Sequence, residues 1–156
     1  MSQYIHIFAR QNDQFIPLYS ESRSNYIYEA LEPYAPYERV SKITLPWIYY
    51  AIDSIKEKSE AADRYINQKR QAIAEIAKMN NNIDDKLDVI NEYLRGIANE
   101  EDEKLYINAA HERLIFLKLI LEDMEDTIES VPDIKDLGIY AGIDCGIEVT
   151  LEDVVE

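Results

Sequence analysis

Hydrophobic positions along this chain repeat with two different periods. YIHIFAR (4–10) alternates Tyr4, His6 and Phe8 with Ile5, Ile7 and Ala9, and QFIPLYS (14–20) is similarly rich in β-forming residues. A period of two predicts strands. Asn12 and Asp13 between the two runs are turn residues, so the pattern predicts a hairpin, with Pro17 marking the second strand as an edge or a bulge. SNYIYEALEPY predicts a short helix from Ser24 to about Glu32, with Ser24 as N-cap and Pro33 as the stop. YAPYERVSK then reads as an irregular connection.

From Pro46 the period lengthens. Thr44 suits a cap and Pro46 a first helical turn. Ile48, Ile52, Ile55, Ser59, Ala62, Ile66, Lys69, Ile73 and Ile76 follow steps of four and three, a heptad seam interrupted at Ser59 and Lys69. The triplet NNN (80–82) predicts a break. The spacing resumes at Ile83, Leu87, Ile90, Leu94 and Ile97, a helix to about Ala98. A third helix is expected from about Glu100 to Glu129, with Ile107, Ala110, Leu114, Leu117, Leu121, Met124 and Ile128 on one stripe. Asn99 would be its N-cap, and Glu100, Glu101, Asp102 and Glu103 would fill its first turn, where the helix dipole favours carboxylates. After Ser130, IYAGIDCGIEV (139–149) predicts one or two short strands that join the N-terminal hairpin, and Thr150 opens TLED, a capping-box spacing.

These elements predict a mainly α (α+β) fold: a long-helix coiled-coil hairpin or three-helix core, with a small β element from the N- and C-terminal segments. The chain of 156 residues has the length of a single domain. Within it, 1–45 forms a tyrosine-rich hairpin and short-helix region, 46–130 a helical core, and 131–156 an acidic C-terminal segment.

Charge adds a second division. The formal net charge is −15, and residues 81–156 hold 21 acids against six bases, whereas residues 1–80 balance ten against ten. A field of one sign repels nucleic acid and anionic membranes and attracts basic partners. The basic group Lys56, Lys58, Lys69 and Arg70 is interleaved with Asp53, Glu57, Glu60 and Asp63, so no phosphate-tracking surface is expected. No apolar run reaches the ~20 residues of a membrane span. MSQYIHIFARQND turns polar too early for a secretory leader. The expected compartment is the cytoplasm.

Candidate chemistry is sparse. His6 and His111 belong to no metal-binding spacing, 100–103 lacks the ligand pattern of a calcium loop, and one cysteine builds no zinc knuckle. Cys145, between Gly142 and Gly146, is the one conceivable thiol nucleophile, and burial is the expected state. Pairs such as Asp84/Asp88 and Glu122/Asp126 share helix faces, as carboxylates do on solvated helices. Neither a catalytic group nor a cofactor nor a metal is expected.

Two functions remain. The leading expectation is a non-enzymatic protein-interaction or regulatory inhibitor protein that occupies a partner surface. Its contact candidates are Tyr26, Tyr28, Tyr34 and Tyr37, because tyrosine offers rigid apolar area with a polar tip. Trp47 is expected to pack at the helix start. The alternative is an acidic nucleic-acid mimic that inhibits a basic DNA- or RNA-processing enzyme, as a phage-type anti-defence protein would. Its candidates are Glu122, Asp123, Glu125, Asp126 and Glu129, supported by Glu100, Glu101, Asp102 and Glu103. Self-association, most simply as a homodimer, is expected, because a rod exposing Ile66, Ile73 and Ile76 to water needs cover.

Overall fold

A computed structural model describes residues 3–23, 25–35, 39–79, 83–131, 134, 136–143 and 154–155. Strands β1 (Tyr4–Gln11) and β2 (Gln14–Ser22) form the expected hairpin. Asn12 turns it with φ 54°, a left-handed value that asparagine tolerates. Helix α1 (Tyr26–Leu31) leads directly into a 3-10 turn, Glu32–Tyr34. Strand β3 (Val40–Ile43), helix α2 (Leu45–Lys78), helix α3 (Ile83–Ser130), strand β4 (Leu137–Ile143) and the two-residue β5 (Val154–Val155) follow.

The architecture is a three-helix core with a small antiparallel sheet of four strands drawn mainly from the chain ends. Its order is β2-β1-β4-β3, and β5 adds to β3 in parallel. Pro17 lies on edge strand β2 beside a register shift opposite Ile7 and Phe8. A residue without an N–H costs least there.

Several local expectations are corrected. Asn25, not Ser24, occupies the N-cap of α1; the α-helix ends before Pro33 as expected, and a 3-10 turn that contains Pro33 follows it. Ser24 itself, like 80–82 and 144–153, lies outside the described residues. The segment read as irregular contains β3, because VSKI offers two branched apolar residues, Val40 and Ile43, one for each buried face of the sheet. The largest correction concerns Asn99. Residues 83–130 are one unbroken helix, so Asn99 and the four acids after it occupy its interior and start nothing. Cap-forming residues mark an end only where the chain leaves the helix, and here flanking residues on both sides hold it.

The chain forms two compact units, residues 1–55 with 110–156, and residues 56–109. In the first, the alternation of β1 sorts its residues to two faces. Ile5 and Ile7 are fully buried, and Glu21, opposite Ile5, reaches Arg113 of α3. The face carrying Ile5 is therefore the helix-bearing one. Ile43, Ile139, Ile27, Leu31, Ile48, Leu114 and Leu117, all essentially inaccessible, complete the core of this unit. The opposite face holds a smaller cluster of Phe8, Val40 and Tyr140, with Phe15 against it.

In the second unit the two helical segments run antiparallel. Arg70 donates to Glu101 at 2.9 Å, Lys104 pairs with Asp63, and Ala62, Ile66, Ile97 and Ile107 are buried. Lys69, read as a polar interruption of the seam, lies over the rings of Tyr65 and Tyr93 at 5.3 and 4.8 Å. Cation–π contact lets a charged residue occupy a seam position with its stem half-buried. Gly96 permits this approach, since a Cβ there would stand 2.6 Å from the Tyr65 hydroxyl oxygen.

Two substitutions test this description. Asn99→Ala removes a mediocre helix former from an exposed interior position and is expected to raise stability by roughly 0.5 kcal/mol. Loss of an N-cap would instead lower it by about 1 kcal/mol, so chemical denaturation separates the two. Leu117→Ala in the core is expected to cost about 2–5 kcal/mol by the same measurement.

Candidate interaction surface

The last two turns of α3 meet the end of the sheet in the first unit. Leu121, Met124, Glu125 and Ile128 recur at helical spacing and line one wall of a groove. Lys42 to Leu45 and Leu137–Gly138 line the other. Its volume is about 200 Å³, below the ~300 Å³ at which pockets for small organic ligands begin. It has room for one large apolar side chain. Gly138 lies where β4 passes Lys42, whose Cε would stand 3.0 Å from a Cβ at that position.

Carboxylates border this groove. Glu125 is part of its wall, and Glu122 and Glu129 stand three residues before and four after it, on the same side of the helix. Glu122 accepts a hydrogen bond from the Tyr49 hydroxyl at 3.0 Å. That bond raises the Tyr49 pKa, with desolvation and the charges of Glu122 and Glu125 acting in the same direction. Lys118 lies 5.7 Å from the Tyr49 ring centre and 4.0 Å from Glu122. Asp123, Glu125, Asp126 and Glu129 are exposed. The other acids named from the sequence lie in the second unit, where Glu101 is engaged by Arg70 and Glu100 is half-buried.

The tyrosine candidates are dispersed. Tyr28 is 3% exposed, with its hydroxyl donating to Gln3 Oε1 at 3.2 Å. Tyr26 is half-buried. Tyr34 packs edge-on to Trp47 with centroids 4.1 Å apart, and exposed Tyr50 stands beyond it at 6.1 Å. Desolvation, then Tyr50, raises the Tyr34 pKa. Tyr37 lies outside the described residues. Of the three described rings, Tyr28 is buried and Tyr26 and Tyr34 are half-buried. Trp47, 8% exposed, packs at the start of α2 as expected.

Groups with chemical potential are placed as follows. His6 Nδ1 is 2.7 Å from Ser20 Oγ at the surface, whereas His111 Nε2 is buried with no hydrogen-bond partner. Cys145 lies outside the described residues. Among the described residues, no group of three His, Cys, Asp or Glu is placed to hold a metal, and no helix is long and apolar enough to cross a membrane. A further cluster joins β2, the start of α1 and α3: Glu21, almost buried, accepts from Asn25 Nδ2 at 2.6 Å and from Arg113 at 2.7 Å. Each bond satisfies a carboxylate that burial would otherwise penalise. It is a structural lock.

Sequence reasoning marked Leu121, Met124 and Ile128 as seam residues but did not identify the groove. Its other wall depends on β3 and Gly138, which no spacing within the chain connects to α3. Comparison with family models, with curated proteins and with solved structures found no match to this chain.

Tyr19, beside Glu21, supplies a test of this corner. Its hydroxyl is buried without a partner. Burial raises its pKa most, the Glu21 carboxylate adds to the rise, and Arg113 opposes it. The unfolded phenol ionises near 10, so above that pH the unfolded chain releases a proton that the folded one retains. Stability present below pH 10 is therefore lost as pH rises toward the folded value. Tyr19→Phe is expected to lose less stability than the parent between pH 9 and pH 11 in urea melts, and to fold at least as stably at pH 7.

Proposed function

We propose that this protein is a non-enzymatic interaction protein that regulates a partner by covering its surface. The groove between α3 and the sheet end carries the reading, since it joins an apolar recess to a rim of carboxylates. An apolar side chain of the partner enters the recess, and neighbouring Lys or Arg residues meet Glu122, Glu125 and Glu129. Anchoring of one side chain in a desolvated pocket is the usual core of a protein interface. The carboxylates accelerate encounter with a basic surface and select against acidic ones.

A second reading, mimicry of nucleic acid by the acidic half, draws on the density of charge at 122–129. Five carboxylates occupy these eight residues, about 12 Å of helix, or one per roughly 2.4 Å. Duplex DNA carries one per about 1.7 Å of axis. A helix with this density suits the basic cleft of a nuclease or polymerase.

One experiment tests both. The tagged protein is used to capture partners from its source cells, and affinity for the captured partner is measured over a range of salt. For an anchored contact, Ile128→Glu is expected to weaken binding at least tenfold, while binding falls only modestly with salt. Under mimicry, changing Glu122, Asp123, Glu125, Asp126 and Glu129 to Gln, Asn, Gln, Asn and Gln lowers affinity by orders of magnitude. DNA or RNA then competes, and salt weakens the complex steeply. Glu57→Gln with Glu60→Gln is the comparison for charge removed elsewhere. Affinity indifferent to both sets of changes overturns the groove and the acidic array together.

A further inference from the structure

We infer that a face of α3 in the second unit is a docking surface for a cationic amphipathic helix. Three leucines define it. Leu87, Leu94 and Leu105 are 50%, 49% and 68% exposed. They are separated by seven and eleven residues, close to two and three whole turns of 3.6 residues. They therefore fall in one line along the helix, about 27 Å from first to last.

The heptad spacing places Leu87 and Leu94 in the seam against α2, but the structure gives that position to others. Ile97 and Ile107 are buried, Ile90 is half-buried, and Tyr93 shares Lys69 with Tyr65 of α2. The seam of this unit is thus already occupied, and the leucine row is additional to it. Leucines aligned at whole-turn spacing on one helix line are the anchor pattern by which helix faces dock.

Charge identifies the occupant. Residues 84–109 of α3 carry eight Asp or Glu against three Lys or Arg; Lys104 among the bases is paired with Asp63 of α2, and Glu101 among the acids with Arg70. Asp88 and Asp102 are exposed on the flank of the leucine row that faces away from α2, with the exposed Arg95 seven residues from each between them, so this flank carries a net negative charge. An anionic lipid surface or a nucleic acid meets repulsion there. A second copy of this face brings a second acidic flank, so self-pairing meets the same penalty. A helix of about 18 residues matches the length of the row. With leucines along one face and lysines or arginines beside them, it covers the apolar line and neutralises the flank, as helix-in-groove recognition requires.

The test uses the full chain and a synthetic 18-residue peptide of leucine and lysine, with leucines confined to one helical face. A scrambled peptide of the same composition has the same charge without the face. Isothermal titration calorimetry at moderate salt is expected to show the amphipathic peptide binding at least tenfold more tightly than the scramble. Leu87→Glu with Leu94→Glu, and separately Leu105→Glu, are expected to abolish that preference while circular dichroism retains the helical signal. These changes add negative charge, so simple attraction between opposite charges would increase affinity. Equal affinity for the two peptides, or tighter binding by the glutamate variants, overturns the proposal. A parent dimer in light scattering that Leu94→Glu splits also overturns it, by assigning the row to a second copy. Ile128→Glu, in the groove of the first unit, is expected to leave peptide binding unchanged, so failure on one surface is distinguishable from failure on the other. Were a double variant to unfold, the comparison of amphipathic and scrambled peptides on the parent chain still decides the matter.

Discussion

The pairing of β1 with β4 is the constraint on which the first unit depends. It places Ile5 opposite Ile143 and Gln11 opposite Leu137, so residues from the two ends of the sequence lie side by side throughout the length of both strands. Non-local pairing of this kind must overcome the entropy of closing a long loop, and burial on both faces is what offsets it. Of the seven residues in β4, six are buried. On the helix-bearing side lie Ile139, Ala141 and Ile143. On the other lies Tyr140, between Phe8 and Lys42 in register. Such a strand has no polar face to give to solvent, and it lies inside the sheet, with β3 pairing the edge that β1 leaves free.

A buried cation fixes the end of this pairing. Arg10, 7% exposed, donates from Nε to the carbonyl of Asn12 at 2.8 Å and from Nη2 to Asp136 at 3.2 Å. Its guanidinium carbon is 5.3 Å from the Phe15 ring centre and 5.7 Å from that of Tyr140. A buried guanidinium is costly unless its donors are used, and here the hairpin turn and the entry to β4 both supply acceptors. Asn12 and Asp136 are the described non-glycine residues with positive φ, at 54° and 50°, and the Asn12 N–H donates to the Asp136 carbonyl at 3.2 Å. The turn of one hairpin and the start of a distant strand are thereby held together. The central sheet pairing is set in register from that corner.

The legibility of these features in the sequence follows the range of the interactions. The hairpin was readable because Asn12 and Asp13 lie between two runs of period two, and α2 because its isoleucines keep one period for over thirty residues. The role of Arg10 was not, since its acceptor at Asp136 is 126 residues away. Asn99 misled for a different reason: an asparagine before four acids satisfies every local condition for a cap, and nothing local reports that the helix is already running. The heptad count likewise assigned Leu87 and Leu94 to the seam, although Gly96 and the Tyr65–Lys69–Tyr93 stack shift the contact line to neighbouring positions. Of the candidate surfaces, the sequence contained one wall of the groove and all of the carboxylates. It lacked the sheet end that turns them into a recess.

The placement of the acids accounts for how this fold carries an uneven charge of this size. Twenty-one acids in residues 81–156 repel one another, but fourteen of them lie on α3, which spreads them along an axis, and screening at physiological salt confines each to neighbours within about 8 Å. Of the carboxylates among the described residues, Glu21 in the charge-balanced part of the chain is the buried one, and it is paired with Arg113 and Asn25. Elsewhere carboxylates adjoin apolar residues: Glu125 the groove, Asp88 and Asp102 the leucine row. Exposed charge alone gives fast and indiscriminate encounter with basic proteins, and exposed leucine alone invites aggregation. Set side by side, the charge governs how quickly a basic partner arrives, and the apolar recess or row governs how long it stays. On this reading the acidity of the chain does not itself specify a partner. Specificity resides in the positions of a few apolar side chains among the acids.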